Sequence, residues 1–194
     1  MIGGWESSTH QCSMRAMPST AKKLFPSLGS NARFTRLLRD RYSVFGPMGM
    51  PGINLEETRF PVVVQNPKAS GGKPDAADVI YGIHRCAHGH GEELPAGFAL
   101  YPDAAGPSRR TRYSFENGAA RLSDRVIFGL LAVAVLSPVN HDQRVPEGYY
   151  LAFSDKAQLM INEWCGREAD FAGIVALDPA PLVKMDFGDW MNNK

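Results

Sequence analysis

PEGYYLAFSDKAQLMINEWCGREADFAGIVALDP, residues 146–179, is the stretch whose reading decides the fold. Tyr149, Tyr150, Leu151, Ala152 and Phe153 form a short aromatic and apolar run bounded by Pro146 and Gly148, the pattern of a buried strand. Ser154 ends the run as a helix cap and Asp155 follows at the positive end of the dipole. Ala157, Met160, Ile161 and Trp164 then fall at i, i+3, i+4 and i+7, which predicts a helix over 155–165 closed by Gly166. Phe171–Leu177, stopped by Asp178 and Pro179, reads as a second buried strand.

Working outward, Ser123 or Asp124 caps a segment running to Leu136 that is apolar all round and belongs in the middle of the core. It reads as a helix, with a strand as the alternative because Val126, Ile127, Val133 and Val135 suit one. Phe60–Gln65, Asp78–His84 and Leu182–Phe187 read as further strands, Gly46–Gly52 as a loop, and Gly89–Asn117 as a long irregular insertion. Phe34, Leu37 and Leu38 among arginines predict a short basic amphipathic helix before Tyr42. The expectation is one α+β domain over residues 35–190, with a mixed or mainly antiparallel sheet and two principal helices near 123–136 and 155–165. A flexible basic arm, residues 1–34, precedes it.

The formal net charge is +1, so no global field advertises nucleic acid or membrane. The charge is uneven, however. Between Ser7 and Arg41, Arg15, Lys22, Lys23, Arg33, Arg36, Arg39 and Arg41 are opposed only by Asp40, which suits a protein partner or an acidic surface. Three widely spaced cysteines, Cys12, Cys86 and Cys165, argue against a disulfide framework and for a reducing compartment. The longest apolar run, Val126–Leu136, is too short to span a bilayer, and Met1–Cys12 lacks an apolar signal region, so a cytoplasmic location is expected.

Three groups carry candidate chemistry. His84, Cys86, His88 and His90, followed by Glu92 and Glu93, alternate in a way that aligns them along one face of a strand. Imidazole and thiolate suit zinc or another transition metal, which makes a metal protein centred on His84, His88 and His90 one reading. The row resembles the paired-histidine strand of cupin barrels, although a glutamate only two residues after the last histidine departs from that family's spacing. The second group is Gly148, Tyr149, Tyr150, Ala152, Ser154 and Ala157. With Val79–Arg85 standing for a first strand, it resembles the middle motif of ADP-ribosyltransferase-like domains.

That resemblance implies an NAD-using transferase. It assigns His84 or Arg85 to the NAD ribose or phosphate, Tyr149 and Tyr150 to the nicotinamide and Ser154 to the same pocket. The carboxylate that stabilises the reacting carbon comes from Glu163, Glu168 or Asp178. The third group is a thiol nucleophile, Cys86 or Cys165, served by a histidine. Against these stands a non-catalytic module that binds a partner through its loops and basic arm.

Overall fold

The computed structural model describes residues 6–89, 97–103, 111–116, 119–153 and 157–188, apart from the side chains of 6–14, 85–89 and 116. In chain order these form α1 (Glu6–Leu24), α2 (Ser30–Asp40), α3 (Tyr42–Gly49), α4 (Ala76–Gly89), β1 (Phe98–Tyr101), β2 (Ser114–Glu116) and β3 (Ala119–Ser123). After them come α5 (Arg125–Leu136), β4 (Tyr150–Phe153), β5 (Ala157–Met160), α6 (Ile161–Trp164) and α7 (Glu168–Leu177). Strand β3 lies between β1, to which it is parallel, and β2, to which it is antiparallel; β4 and β5 form a separate antiparallel hairpin. The class is α+β, with small mixed and antiparallel sheets in one domain.

Helix α5, RVIFGLLAVAVL, has no charged side chain after Arg125, and burial is what its composition demands. Val126, Leu130, Ala132, Val133 and Leu136 are buried, and α1, α3 and α6 pack around it. The approach of α3 is unusually close. A Cβ on Gly129 would stand 2.8 Å from the Gly49 Cα and 2.9 Å from Phe45 Cδ2, so the backbones meet where neither residue has a side chain.

Several expectations are corrected. Residues 6–24 are a helix rather than an arm of little fixed structure, and Met17 and Ala21 are fully buried where α1 lies on α5. Gly46, Pro47 and Gly49 belong to α3, not to a loop. Phe60–Gln65 is in no sheet; the Phe60 N–H bonds to the Pro74 carbonyl instead, and Pro61 removes a ladder donor. Val183 makes a single parallel bridge to Ile53 in place of the strand expected over Leu182–Phe187. Asp78–His84 is helical: Ala76, Val79, Ile80 and Ile83 are buried at i, i+3, i+4 and i+7, and Asp75 caps α4 by accepting the Asp78 N–H at 3.0 Å.

The deciding stretch is half overturned. Its first strand stands, but 157–160 is strand β5, and Leu151 and Leu159 sit opposite each other with both side chains in the core. The Ile161 N–H continues the ladder to the Tyr149 carbonyl at 3.0 Å, which leaves α6 only one turn. Ala157, Leu159 and Ile161 alternate as well as Ala157, Met160 and Ile161 recur, and the cross-strand pairing decides between the periods. Phe171–Leu177 is helical, not a strand, and only Phe171 is fully buried, its ring edge-on to Phe153 at 5.2 Å.

Gly129→Ala should lower stability by about 1–3 kcal/mol in urea unfolding, because overpacking outweighs a helix-propensity gain of about 1 kcal/mol. Gly173→Ala, where a Cβ meets nothing within 4 Å, should instead raise stability. Equal effects at the two sites would remove the close approach as the cause.

Candidate functional site

His84 lies on α4 and is buried, its ring stacked on Phe34 with centroids 4.9 Å apart and tilted against Tyr81 at 6.5 Å. A helical backbone does not align alternate residues on one face, so the row expected of a strand is lost, and positions 84 and 88 are one turn apart. The side chains of Arg85, Cys86 and His88 lie outside the described residues, as do His90, Glu92 and Glu93 entirely. Among the described residues no three His, Cys, Asp or Glu side chains are grouped to hold a metal.

Tyr149 and Tyr150 are exposed at the entrance to the hairpin, 42% and 47%, while Ser154 falls outside the described residues. Glu163 points to solvent from α6, Asp178 is exposed, and Glu168 pairs with Arg41 at 2.7 Å. The rings that surround His84 come from α2 and α4, and the two tyrosines belong to the hairpin edge. Burial raises the Cys165 thiol pKa, so this cysteine is not an activated nucleophile.

The polar groups that do converge are tied into the frame. Arg39 makes a bidentate contact with Asp75, at 2.6 and 3.0 Å, and reaches Asp78 at 3.0 Å. Asp78 also accepts the Lys68 and Ala69 N–H groups, and the Tyr42 hydroxyl accepts the Ala77 N–H. Burial works against the Arg39 charge, but the bonds and fields of Asp75 and Asp78 outweigh it and hold the guanidinium charged. Burial likewise pushes the Tyr42 phenol well above its ordinary value, so it stays neutral.

A second knot closes α3. Arg125 Nε donates to the Met48 carbonyl at 3.3 Å and the Tyr113 hydroxyl to that of Gly49 at 3.2 Å, serving two orphan carbonyls at the helix end. Ser123 and Thr111 donate to Asp103, at 2.6 and 3.0 Å, beside Arg125. In a third knot the Asn140 amide donates to Thr20 and to the Ala134 carbonyl, both at 2.8 Å, and accepts from Lys23 at 2.9 Å. Arg39 and Arg41 are therefore bound within the fold, while Arg15, Lys22, Lys23 and Arg36 are exposed, Lys23 bonded to Asn140 and Arg36 paired with Asp40.

The outward side of α7 and the segment after it have the opposite character. From Phe171 to Leu177 no side chain is polar, yet Ala172, Gly173 and Ala176 are exposed and Leu177 is 86% exposed. Further along the chain Leu182 and Val183 are 63% and 61% exposed. Scattered apolar exposure is ordinary; a whole helix side followed by two more large apolar residues is the kind of patch that marks an interaction site. Sequence reasoning missed it by treating the apolar run as core, although Ala172, Gly173 and Ala176 provide little bulk to fill one.

Two measurements check these assignments. Asp78→Ala should cost about 3–5 kcal/mol in urea unfolding because it leaves two backbone donors unmatched in a buried site and removes one of the two carboxylates that hold Arg39. Arg36→Met, at the exposed Arg36–Asp40 pair, should cost less than about 1 kcal/mol. In a Cys12→Ser, Cys86→Ser background, Cys165 should be alkylated more slowly at pH 8 than a free thiol, and the rate should climb with pH beyond the ordinary cysteine range. A rate that levels off below pH 7 would contradict the raised pKa.

The profile of the Rv1289 family matches residues 4–191. The chain is 40% identical over 183 residues to the uncharacterized protein Rv1289 of Mycobacterium tuberculosis (strain ATCC 25618 / H37Rv) and to the uncharacterized protein Mb1320 of Mycobacterium bovis (strain ATCC BAA-935 / AF2122/97). Each alignment covers 94% of this chain and 85% of the relative. No solved structure matches. A family match along nearly the whole chain, joined to this identity and coverage, makes the protein a member of the Rv1289 family.

Proposed function

We propose that this protein is a non-catalytic protein-binding module whose docking surface is the outward side of α7 together with Leu182 and Val183. The observation that carries the reading is Leu177, 86% exposed at the end of a helix whose side chains from 171 onward are all apolar. Burying one such leucine contributes roughly 1.5–3 kcal/mol, so a partner covering this side gains from each large residue it removes from water. The basic segment adds a second, electrostatic element through Arg15, Lys22 and Arg36, which suits an acidic surface on the same partner.

The transferase and metal readings both begin from His84. Its aromatic neighbours on α2 and α4 are those of a core histidine, so support passes to the binding reading.

A photo-crosslinking residue placed at Leu177 should form covalent adducts with protein in cells of the source organism. The same residue at Val63, which is 66% exposed in the segment between Phe60 and Gln65, should form far fewer. Equal yields at the two positions, or none at 177, would reject α7 as a docking surface.

A further inference from the structure

We infer that residues 183–187 are a displaceable strap lying in a peptide-binding groove, formed by segment 52–60 and Phe115, and that the groove takes an extended partner peptide in their place. The peptide it fits carries two apolar side chains at alternate positions, the second of them aromatic. None of the groove residues belongs to α7.

The strap lies on segment 52–60 as an added peptide lies on a sheet edge. The Val183 N–H donates to the Gly52 carbonyl and the Asn54 N–H to the Val183 carbonyl, both at 2.9 Å, which makes the parallel bridge of Val183 to Ile53. Two residues on, the Met185 N–H donates to the Thr58 hydroxyl at 3.2 Å. Side chains of an extended chain alternate, and here Met185 and Phe187 pack on the core while Lys184, Asp186 and Gly188 are exposed. Phe187 closes the row edge-on to Phe115, ring centroids 5.5 Å apart, with Phe60 at 6.4 Å.

What is covered and what covers it differ in kind. Thr58 and Phe60 are fully buried, whereas no residue from 178 to 187 is. The groove also has supports of its own. The Thr58 N–H bonds to the Asn54 carbonyl at 3.0 Å, the Glu57 N–H to the Asn54 side chain at 3.2 Å and the Phe60 N–H to the Pro74 carbonyl at 2.9 Å. The Phe60 and Phe115 rings meet at 5.0 Å.

To an incoming backbone the groove offers the Gly52 carbonyl, the Asn54 N–H and the Thr58 hydroxyl, which bind any extended chain. Selectivity comes from the floor, where Met50, Ala76, Val79, Ile80 and Leu122 lie with the two rings and no polar side chain is among them. A segment with few buried contacts opens at a fraction of the free energy of global unfolding. While docked, it competes at the effective concentration of a tethered ligand, roughly millimolar, so the strap sets the threshold that a partner peptide must exceed.

Two measurements on the full chain test this. In native-state hydrogen exchange of the wild type, the Asn54, Val183 and Met185 amides should exchange together, with protection about a hundredfold or more below that of α5. In Met185→Ser, Phe187→Ser, with an unchanged circular-dichroism spectrum, a fluorescently labelled synthetic peptide of residues 181–188 should bind about tenfold or more tighter than to the wild type, whose own strap excludes it. The same peptide carrying both serines should not bind. Where the double variant loses its fold, Phe187→Ala takes its place with the same expectation.

Strap amides that exchange only together with α5 overturn the release. A folded variant that binds no peptide, or that binds the serine peptide equally well, overturns the groove.

Discussion

The contact on which the rest of the structure depends is the meeting of Gly49 and Gly129. A helix as uniformly apolar as α5 has to be surrounded, and a 12-residue helix offers limited area for doing so. With no side chain at either crossing residue, α3 comes close enough for Phe45, Met48 and Met50 to fill the space beside it. The α1 helix covers another side through Met17 and Ala21, and the hairpin contributes Leu151, Phe153 and Leu159 to the same core. Close packing of this kind is sensitive to single methyl groups, which concentrates the stability of the fold at one crossing.

The polar knots follow from that arrangement. Short helices packed around α5 end inside the protein, where unmet backbone groups are costly. Arg125 and Tyr113 serve the end of α3, Asp75 the start of α4, and Asn140 a carbonyl of α5. Arg39 and Arg41, read from the sequence as part of a basic segment facing a partner, are thereby occupied within the fold. Arg39, the most connected of them, joins α2 to the start of α4 through two buried carboxylates. Arg41 similarly holds α7 to the α2–α3 junction through Glu168, whose carboxyl burial pushes to higher pKa against the pull of the arginine.

With the polar groups turned inward, the surface carries its information in an apolar patch and a few cations. Helix α7 is attached by Phe171 and Glu168 and presents an uncharged side to solvent, flanked by Arg167 and Asp178. An exposed apolar helix side of this kind is what the docking proposal rests on.

What was legible in the sequence was whatever depends on near neighbours. The α+β class, the aromatic strand at Tyr150–Phe153, the buried segment ending at Leu136 and the amphipathic helix of Phe34, Leu37 and Leu38 all follow from local pattern. Gly166, with φ of +80°, is the turn that its position after Trp164 predicted. The other assignments hung on distant partners. Val79, Tyr81 and Ile83 alternate like a strand, and α4 is helical because Ala76, Val79, Ile80 and Ile83 have the core to face. Ala157–Ile161 satisfies both periods, and only β4 alongside it selects the strand. Local chemistry alone determined which residues must leave water and where the chain turns. Tertiary structure decided which period each ambiguous segment obeys, where the charges find partners, and that the apolar side of α7 stays outside, because each depends on groups that folding brings together from far along the chain.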